Sequence, residues 1–296
     1  MMGFVPLPIL RLFCEEDMDN QYGWVVGGAS SIGCRHIQEN TPIEDNCYYE
    51  SWGNGWGIAV VSDGAGSREK SAIGSRLVSH LYAPRFFKNN LKPFFDKSLL
   101  PSSAQWKKIS RRSLYECAYM LNYYSNEHND DVNLYGCTII VMVYTPFGIL
   151  CSHIGDGRAC YRDKTGLWHA AMKPFNPNPE NPNATVFITS PIWEGLQTAQ
   201  EHIGYRVIED VTAFALLSDG IEDYCFTCKP RDPITGDDPN VPSQDFFDGI
   251  YQAFIGFKAD KSKIEQKIAD YLRNNPHLAN EQDDKTLVFG YFPQES

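Results

Sequence analysis

Hydrophobic residues along this chain follow two periodicities, which divide it into strand-rich and helix-rich stretches. From Tyr22 to about Val61, "YGWVVGGAS", "NCYYESW" and "WGIAVVSD" combine aromatic and β-branched residues and are separated by turn residues, a pattern typical of strands. The segments "SREKSAIGSRLVSHLYAPRFFKNN" and "SAQWKKISRRSLYECAYMLNYYSNEH" repeat apolar residues at three- or four-residue spacing. They predict two long helices, separated between Pro93 and Pro101.

Strand patterns return in the second half of the chain. The segments "GCTIIVMVYT", "GILCSHIGD", "GRACYRD", "ATVFITS" and "AFALLSDG" predict strands, the first two joined by a tight turn at 146–148. Residues 229–242 are rich in Pro, Asp and Gly and predict a loop. Helical spacing over 244–257 and 262–274 and a last strand, "KTLVFGYF", follow it. This order of elements predicts an α+β fold, a layered sandwich built on antiparallel sheets.

Composition excludes several classes of protein. A formal charge of −11 over 296 residues argues against nucleic acid or an anionic membrane surface as the main partner. No apolar run approaches the roughly 18 residues of a membrane span. The nine cysteines lie in apolar surroundings, which favours reduced core thiols, and the pair Cys225 and Cys228 lacks the further ligands of a zinc site. The opening segment "MMGFVPLPILRLF" contains two prolines and no preceding basic residue, so it is not expected to be a signal peptide, and we predict a cytoplasmic protein.

Carboxylates stand beside predicted strand ends at five places. The residues are Asp45, Asp63, Asp156, Asp219 and the pair Asp283-Asp284. One aspartate at a strand end is usually a turn residue. Several whose strand ends converge would repel one another unless a cation lay between them. Because neither His nor Cys accompanies these clusters, the all-oxygen set favours Mg²⁺ or Mn²⁺ over zinc. Two such ions suit the activation of water against phosphorus.

These segments, taken in order, resemble the metal-dependent serine/threonine protein phosphatases of type 2C, and a bacterial branch of that family in particular. The resemblance spans Gly27 to Phe292 and rests on "IED", "VVSDGAGS" with "SAIGS", "GCTIIVMV", "IGDGRACY", "LLSDGIED" and "DDKTLVF". It implies a four-layer α/β/β/α sandwich with two central antiparallel sheets. We expect one phosphatase domain over residues 1–296, with residues 1–20 as an N-terminal extension and 229–242 as an inserted loop.

Carried over position by position, the resemblance implies two inner metal ions and a third, looser one. Asp63, the carbonyl of Gly64, Asp219 and Asp283 would bind the inner ions; Asp45 and, less directly, Glu44 would hold metal-bound waters; Asp156, Asp219 and Asp223 match the positions around the third ion. Asp63, Asp219 and Asp283 are thus the expected catalytic residues. In "DDKT" Asp283 aligns with the ligand and Asp284 with the asparagine that follows it in the family, although a slip of one residue is an open alternative.

The chain departs from the family at two positions. Ala65 stands where many members have a histidine that is a candidate general acid. Asn40 stands where a phosphate-binding arginine is usual. Arg35 and His36 are the nearest substitutes for binding the substrate phosphate, and their alternative is a role as solvated loop residues. The proton donor stays open between a metal-bound water and His36.

The resemblance implies an enzyme that removes phosphate from phosphoserine or phosphothreonine on proteins, in signalling, by attack of metal-activated water without a phosphoenzyme. Its expected partners are a phosphorylated protein substrate and a cognate serine/threonine kinase. The alternative is a catalytically weak or inactive protein of the same fold that binds phosphoproteins as a regulatory module. The residues at positions 40 and 65 favour that alternative, whereas the intact acidic set opposes it.

Overall fold

The computed structural model describes residues 23–175, 185–194, 201–232, 238–255 and 261–293. Its strands are β1 (Val25–Ser31), β2 (Asn46–Gly53), β3 (Trp56–Ser62), β4 (Ile139–Thr145), β5 (Gly148–Ile154), β6 (Arg158–Asp163), β7 (Trp168–Ala170), β8 (Gly204–Glu209), β9 (Val211–Leu217), β10 (Phe226–Thr227), β11 (Val241–Pro242) and β12 (Lys285–Tyr291). Its helices are α1 (Cys34–Glu39), α2 (Ser71–Leu77), α3 (Ala83–Phe95), α4 (Ser103–Glu127), α5 (Glu222–Cys225), α6 (Gln244–Ile255) and α7 (Lys261–Asn274). A π-helical turn over Val78–Tyr82 joins α2 to α3.

Two antiparallel sheets form the centre of the fold. The first has the strand order β1-β12-β9-β6-β7 and the second β2-β3-β4-β5-β8, while β10 and β11 pair separately. A shared core of buried side chains, among them Trp24, Val61, Met142, Phe214 and Val288, fills the space between the two sheets. The sheets therefore pack face to face.

The central strands are apolar at nearly every position because both of their faces are buried. In β3, Ile58 and Val60 point into the core on the helical side, and Ala59 and Val61 point into the core between the sheets. The same alternation runs through β4. Continuous apolar runs are what a strand covered on both faces requires.

Helices cover the outer face of each sheet. Helices α2, α3 and α4 pack on the second sheet, and α6 and α7 pack on the first. Helix α4 begins with a capping box between Ser102 and Gln105. Its Trp106 is fully buried, and the Nε1 atom donates a hydrogen bond of 2.8 Å to the carbonyl oxygen of Cys151 in β5. The predicted α+β sandwich with helices outside two antiparallel sheets is confirmed.

Several local predictions differ from the structure. Residues 185–190, within the predicted strand "ATVFITS", form turns instead: Val186 and Ile188 are buried, but the amide of Ile188 donates to the carbonyl of Cys137. The short helix α1 and the strands β7 and β8 were not predicted. Tertiary contacts create these elements; the amides of Cys34 and Arg35, for example, bond to carbonyls of the segment that precedes β12.

The expected extension at residues 1–20 lies outside the described residues, as does 233–237 of the expected inserted loop, and the single-domain boundary stays a prediction. All cysteines among the described residues are free thiols. Within those residues, no helix combines the length and the apolarity that a membrane span needs.

We predict that Trp106→Phe lowers the free energy of unfolding by about 0.5–1.5 kcal/mol, because it removes the Nε1–H that donates to the buried carbonyl of Cys151. Trp106→Ala should cost about 3–5 kcal/mol through the cavity it opens. Urea unfolding monitored by circular dichroism measures both losses. The matched control is Tyr119→Phe on the same helix, since Tyr119 is 57% exposed. Equal losses for Trp106→Phe and the control would contradict the role given to the Trp106 hydrogen bond.

Candidate metal centre and substrate cleft

A cleft of about 900 Å³ opens at one end of the sandwich. Its acidic wall residues include Asp63, Asp156, Asp219, Glu222, Asp238 and Asp283. Asp63 follows β3, Asp156 lies between β5 and β6, Asp219 is the second residue after β9, and Asp283 precedes β12. The ends of strands from both sheets therefore bring together the predicted acidic residues Asp63, Asp156, Asp219 and Asp283.

Backbone contacts fix Asp63 at the floor of the cleft. Its amide donates to the Thr138 hydroxyl at 3.1 Å, and its carbonyl accepts from the Thr138 amide at 2.8 Å. The next residue, Gly64, forms an isolated bridge to Cys137. The two residues that precede β4 thus hold the backbone of the Asp63-Gly64 pair in place.

The carboxylates of Asp63 and Asp219 are half-buried and receive no hydrogen bond or ion pair from any residue in the described part of the chain. Burial and repulsion from Asp219 raise the pKa of Asp63 well above its usual value. Burial and repulsion from Asp156 do the same for the pKa of Asp219. Grouped carboxylate oxygens without a protein cation are a donor set that fits hard divalent ions such as Mg²⁺ and Mn²⁺.

Asp45 lies behind this set rather than in the cleft wall. It is 2% exposed, and its Oδ2 atom accepts hydrogen bonds from the hydroxyls of Ser218 (2.6 Å) and Thr286 (2.7 Å). Burial raises the pKa of Asp45 to about 7. Glu44 is held by the Ser71 hydroxyl at 2.9 Å, and burial raises its pKa as well. Both residues are placed to support the centre from behind.

Asp283 and Asp284 have different surroundings. The Asp284 carboxylate is buried and accepts from the amides of Gly33 (2.8 Å), Glu44 (2.6 Å) and Asp45 (3.3 Å). The Asp283 side chain is 46% exposed and lines the cleft. These surroundings favour Asp283 as the ligand, in line with the predicted alignment, and give Asp284 the task of joining the start of β12 to the Glu44-Asp45 segment.

The third-ion residues predicted from the sequence are only partly brought together. Asp156 lines the cleft, and burial raises its pKa to about 6. Asp223 is exposed and is not part of the described cleft wall; its neighbour Glu222 is. The ligand atoms of Glu222, Asp223 and Cys228 lie within 4.8 Å of one another. Asp223 is thus adjacent to the cleft wall without lining it, and its assignment to the third ion stays a prediction.

Of the two predicted phosphate-binding residues, only Arg35 reaches the cleft. It lies in the first turn of α1, and its Nη2 atom is 3.3 Å from Asp283 Oδ1. His36 is 3% exposed and does not line the cleft; its Nδ1 atom lies 2.9 Å from the carbonyl oxygen of Pro42. The position of His36 thus opposes its predicted contact with phosphate and gives it a role in holding the turn that leads to Glu44.

Sequence reasoning missed a buried polar network in the cleft wall. Arg158, the residue that begins β6, contacts Glu222, Asp238 and Asn240. The arginine was visible in "IGDGRACY", but its partners lie more than sixty residues further along the chain, and no local pattern connects them.

Comparisons with known proteins identify the family and the fold of this chain. A model of the protein phosphatase 2C family matches residues 32–273, which is most of the chain. This chain belongs to the protein phosphatase 2C family. Its members are generally metal-dependent phosphatases, so the resemblance in sequence is confirmed at the level of the family. No curated protein matches the chain by sequence.

Solved structures of bacterial proteins share the fold of this phosphatase 2C chain. A bacterial serine phosphatase has a TM-score of 0.52 and 15% identity, with 92% of this chain and 98% of that chain covered. The serine/threonine phosphatase Stp1 from Staphylococcus aureus has a TM-score of 0.51 and 14% identity, covering 91% and 95%. PppA, a key regulatory component of T6SS in Pseudomonas aeruginosa, has a TM-score of 0.53 and 15% identity, covering 92% and 98%. Identities this low show the fold alone.

We predict opposite phenotypes for the two adjacent aspartates of this phosphatase 2C chain. Asp284→Asn should lower the free energy of unfolding by about 1–3 kcal/mol with or without Mn²⁺, because one of its acceptor oxygens becomes a donor beside buried amides. Asp283→Asn should leave the unfolding free energy of the metal-free protein nearly unchanged and raise the Mn²⁺ concentration needed to shift the melting temperature. Melting curves across a Mn²⁺ series measure both effects. The reverse pattern would assign the ligand to Asp284.

The raised pKa values predict a metal effect that grows with pH. Burial raises the pKa of folded Asp45 to about 7 and that of folded Asp156 to about 6, whereas an unfolded aspartate has a pKa of about 3.9. The folded state therefore binds more protons at these two carboxylates, and the stability that they contribute, full below about pH 4, falls as the pH rises toward 7. A bound cation displaces those protons.

The gain in melting temperature on adding Mn²⁺ should accordingly be larger at about pH 7.5 than at about pH 5. Burial lowers the pKa of His153 to about 4, which acts in the opposite direction, but it contributes equally with and without Mn²⁺ and cancels in the difference. Calorimetry in matched buffers measures the gain. A gain that is the same at both pH values would contradict displacement of protons from these carboxylates.

Proposed function

We propose that this chain is a metal-dependent serine/threonine protein phosphatase that hydrolyses phosphoserine and phosphothreonine in proteins. The observation that carries the proposal is the convergence of Asp63, Asp219 and Asp283 on one cleft, with Asp63 and Asp219 lacking a cationic partner among the described residues. Repulsion of this kind does not stabilise a fold, so a purely structural role would not account for it. A phosphatase of this family would use it to hold two Mg²⁺ or Mn²⁺ ions, with a third near Asp156.

The protein would hold the inner ions with Asp63, the carbonyl of Gly64, Asp219 and Asp283. When bound, such ions make water more acidic and neutralise the negative charge of a phosphate group. The chain itself fixes the ligands: Thr138 holds the backbone of Asp63, and Gly220 lets the turn after Asp219 approach the backbone of Asp284. At Gly220 an added Cβ would lie 2.0 Å from the Asp284 carbonyl oxygen, so no other residue fits without a shift.

The walls of the cleft suit a phosphorylated protein segment. Besides the acidic residues, the lining includes the cations Lys173, Arg206 and Arg231 and the aromatic residues Phe187 and Tyr205. Cationic and aromatic walls can bind an anionic group and the peptide around it. Arg35 is the candidate contact for phosphate, since it lies beside Asp283 and lines the same cleft.

The rival is a phosphoprotein-binding module of the same fold. It is favoured by Ala65, which places a methyl group where a histidine would offer a proton, and by the buried position of His36. We weigh the unpaired carboxylates more heavily, since a binding module needs no metal centre. A cytoplasmic location, a role in signalling and a cognate serine/threonine kinase belong to the same proposal.

We predict that the purified protein hydrolyses an aryl phosphate and a phosphothreonine peptide only when Mn²⁺ or Mg²⁺ is added, and that excess EDTA abolishes both reactions. Asp63→Asn and Asp219→Asn should each lower kcat by at least about tenfold, because each removes charge from the ion-binding set. Steady-state phosphate release measures these changes.

The matched control is Asp210→Asn, at the opposite end of β9, where the exposed aspartate pairs with Lys164. Its φ of +60° is one that asparagine also adopts readily, so its activity should stay at the wild-type level. Full activity in EDTA would refute the metal-dependent enzyme. Binding of the phosphopeptide without turnover, in any metal, would establish the rival module.

A further inference from the structure

Arg158 is the most densely bonded cation in the cleft wall. Its guanidinium donates to Glu222 Oε2 from Nε at 2.8 Å and forks onto Asp238, with Nη1 to Oδ1 at 3.1 Å and Nη2 to Oδ2 at 3.0 Å. Nη1 also donates to Asn240 Oδ1 at 3.1 Å. The planar fork of arginine suits this set of acceptors, which the single ammonium of lysine would not match.

These hydrogen bonds lie where the side chains are largely buried, so solvent screens their charges only weakly. The Arg158 side chain is 3% exposed, that of Asp238 9% and that of Glu222 27%. One cation thus faces two carboxylates where solvent screening is weak, and removal of the cation would leave both uncompensated. The ring of Phe226 packs against the guanidinium from one side, with the Cζ atom 5.9 Å from the ring centroid.

The network joins four separate segments around the cleft. Arg158 comes two residues after Asp156, and Glu222 comes three residues after Asp219, so each end of the ion pair adjoins a candidate metal residue. Asp238 and Asn240 belong to the segment before β11, and the Asn240 side-chain amide donates to the carbonyl of Met172 at 2.7 Å. This places Arg158 between the acidic floor and the outer wall.

Glu222 has a second set of possible partners. It lines the same cleft as Asp219 and Asp156, and its negative charge acts on both of them. Its ligand atom also lies within 4.8 Å of those of Asp223 and Cys228. A carboxylate in this position would bind a divalent cation if no other cation held it.

We propose that Arg158 is a positioning residue whose guanidinium acts as a built-in cation: it holds Glu222 and the Asp238–Asn240 segment in the cleft wall and so keeps Glu222 out of the divalent-metal set. The inference rests on the proposed metal-dependent function and adds a residue that determines how many carboxylates the ions can reach. Fixing that number matters because a surplus ligand binds the ions more tightly but occupies positions that water and phosphate need.

The test measures the Mn²⁺ concentration that gives half of the maximal melting shift, together with kcat and KM for an aryl phosphate. Arg158→Met should lower that Mn²⁺ midpoint and reduce kcat, each by about tenfold. The double variant Arg158→Met/Glu222→Gln should return the midpoint to the wild-type value and recover kcat in part. Arg162→Met is the control for loss of an arginine from β6, since Arg162 pairs with Asp248 outside the cleft wall.

A second double variant, Arg158→Met/Asp238→Asn, has the same net charge as Arg158→Met/Glu222→Gln but leaves Glu222 unpaired. It should keep the low Mn²⁺ midpoint of Arg158→Met. If both double variants restored the midpoint equally, only net charge would be at work, and the proposal would be overturned. An unchanged midpoint in Arg158→Met would also overturn it.

Two further variants keep the test decisive if Arg158→Met does not fold. Glu222→Gln alone should leave the Mn²⁺ midpoint at the wild-type value, whereas loss of a true ligand would raise it by about tenfold or more. Arg158→Lys should keep that midpoint, because it keeps the charge, but raise KM, because it loses the fork onto Asp238. A wild-type protein that shows no Mn²⁺ response would refute the proposed function and this inference together; a responsive wild type in which Glu222→Gln raises the midpoint would refute this inference alone.

Discussion

Electrostatic repulsion among carboxylates at the ends of the two sheets is the constraint on which the rest of this structure depends. Asp63, Asp156 and Asp219 are brought together by strands whose positions the hydrophobic cores fix. Burial and repulsion from Asp219 and Asp156 raise the pKa of Asp63, and burial and repulsion from Asp156 raise the pKa of Asp219. The repulsion costs folding free energy that the apolar packing must offset. Binding of cations would recover part of that cost, which couples stability to metal in the folded state.

The carboxylates keep their positions despite this repulsion because hydrogen bonds join the acidic floor of the cleft to both sheets. Asp45, at the start of β2, bonds to hydroxyls that follow β9 and lie in β12, and Asp284 accepts from three backbone amides of the segments before β2. These contacts join the second sheet to the first just behind the cleft. A shift of one sheet relative to the other would break these hydrogen bonds, so the positions of the cleft carboxylates are fixed by the same packing that forms the core.

The sequence predicts those parts of the fold and site that depend on local pattern. The apolar runs of β3, β4 and β9 and the spacing in α4 predict their own conformation, and an aspartate at a strand end predicts an edge of a sheet. What local pattern cannot supply is the partner across the fold. The segment within "ATVFITS" that was expected to be a strand instead donates hydrogen bonds within a turn and, from the amide of Ile188, to the carbonyl of Cys137. Helix α1 begins where the amides of Cys34 and Arg35 donate to the carbonyls of Glu281 and Gln282. For the same reason, local pattern could not predict the partners of Arg158 or the exposure of Asp223.

Under the proposed function, two kinds of cation would share one acidic cleft. The guanidinium of Arg158 is covalently part of the chain, so its position and number are fixed by folding, whereas divalent ions exchange with solvent and bind according to the oxygens left to them. Glu222 lines the cleft with the candidate metal residues and also contacts Arg158. Its hydrogen bond of 2.8 Å from Nε of Arg158 pairs it with the arginine. An acidic site that must hold ions and still leave room for phosphate needs such a limit on its ligands, and a buried arginine supplies it without occupying the floor where Asp63 and Asp219 lie.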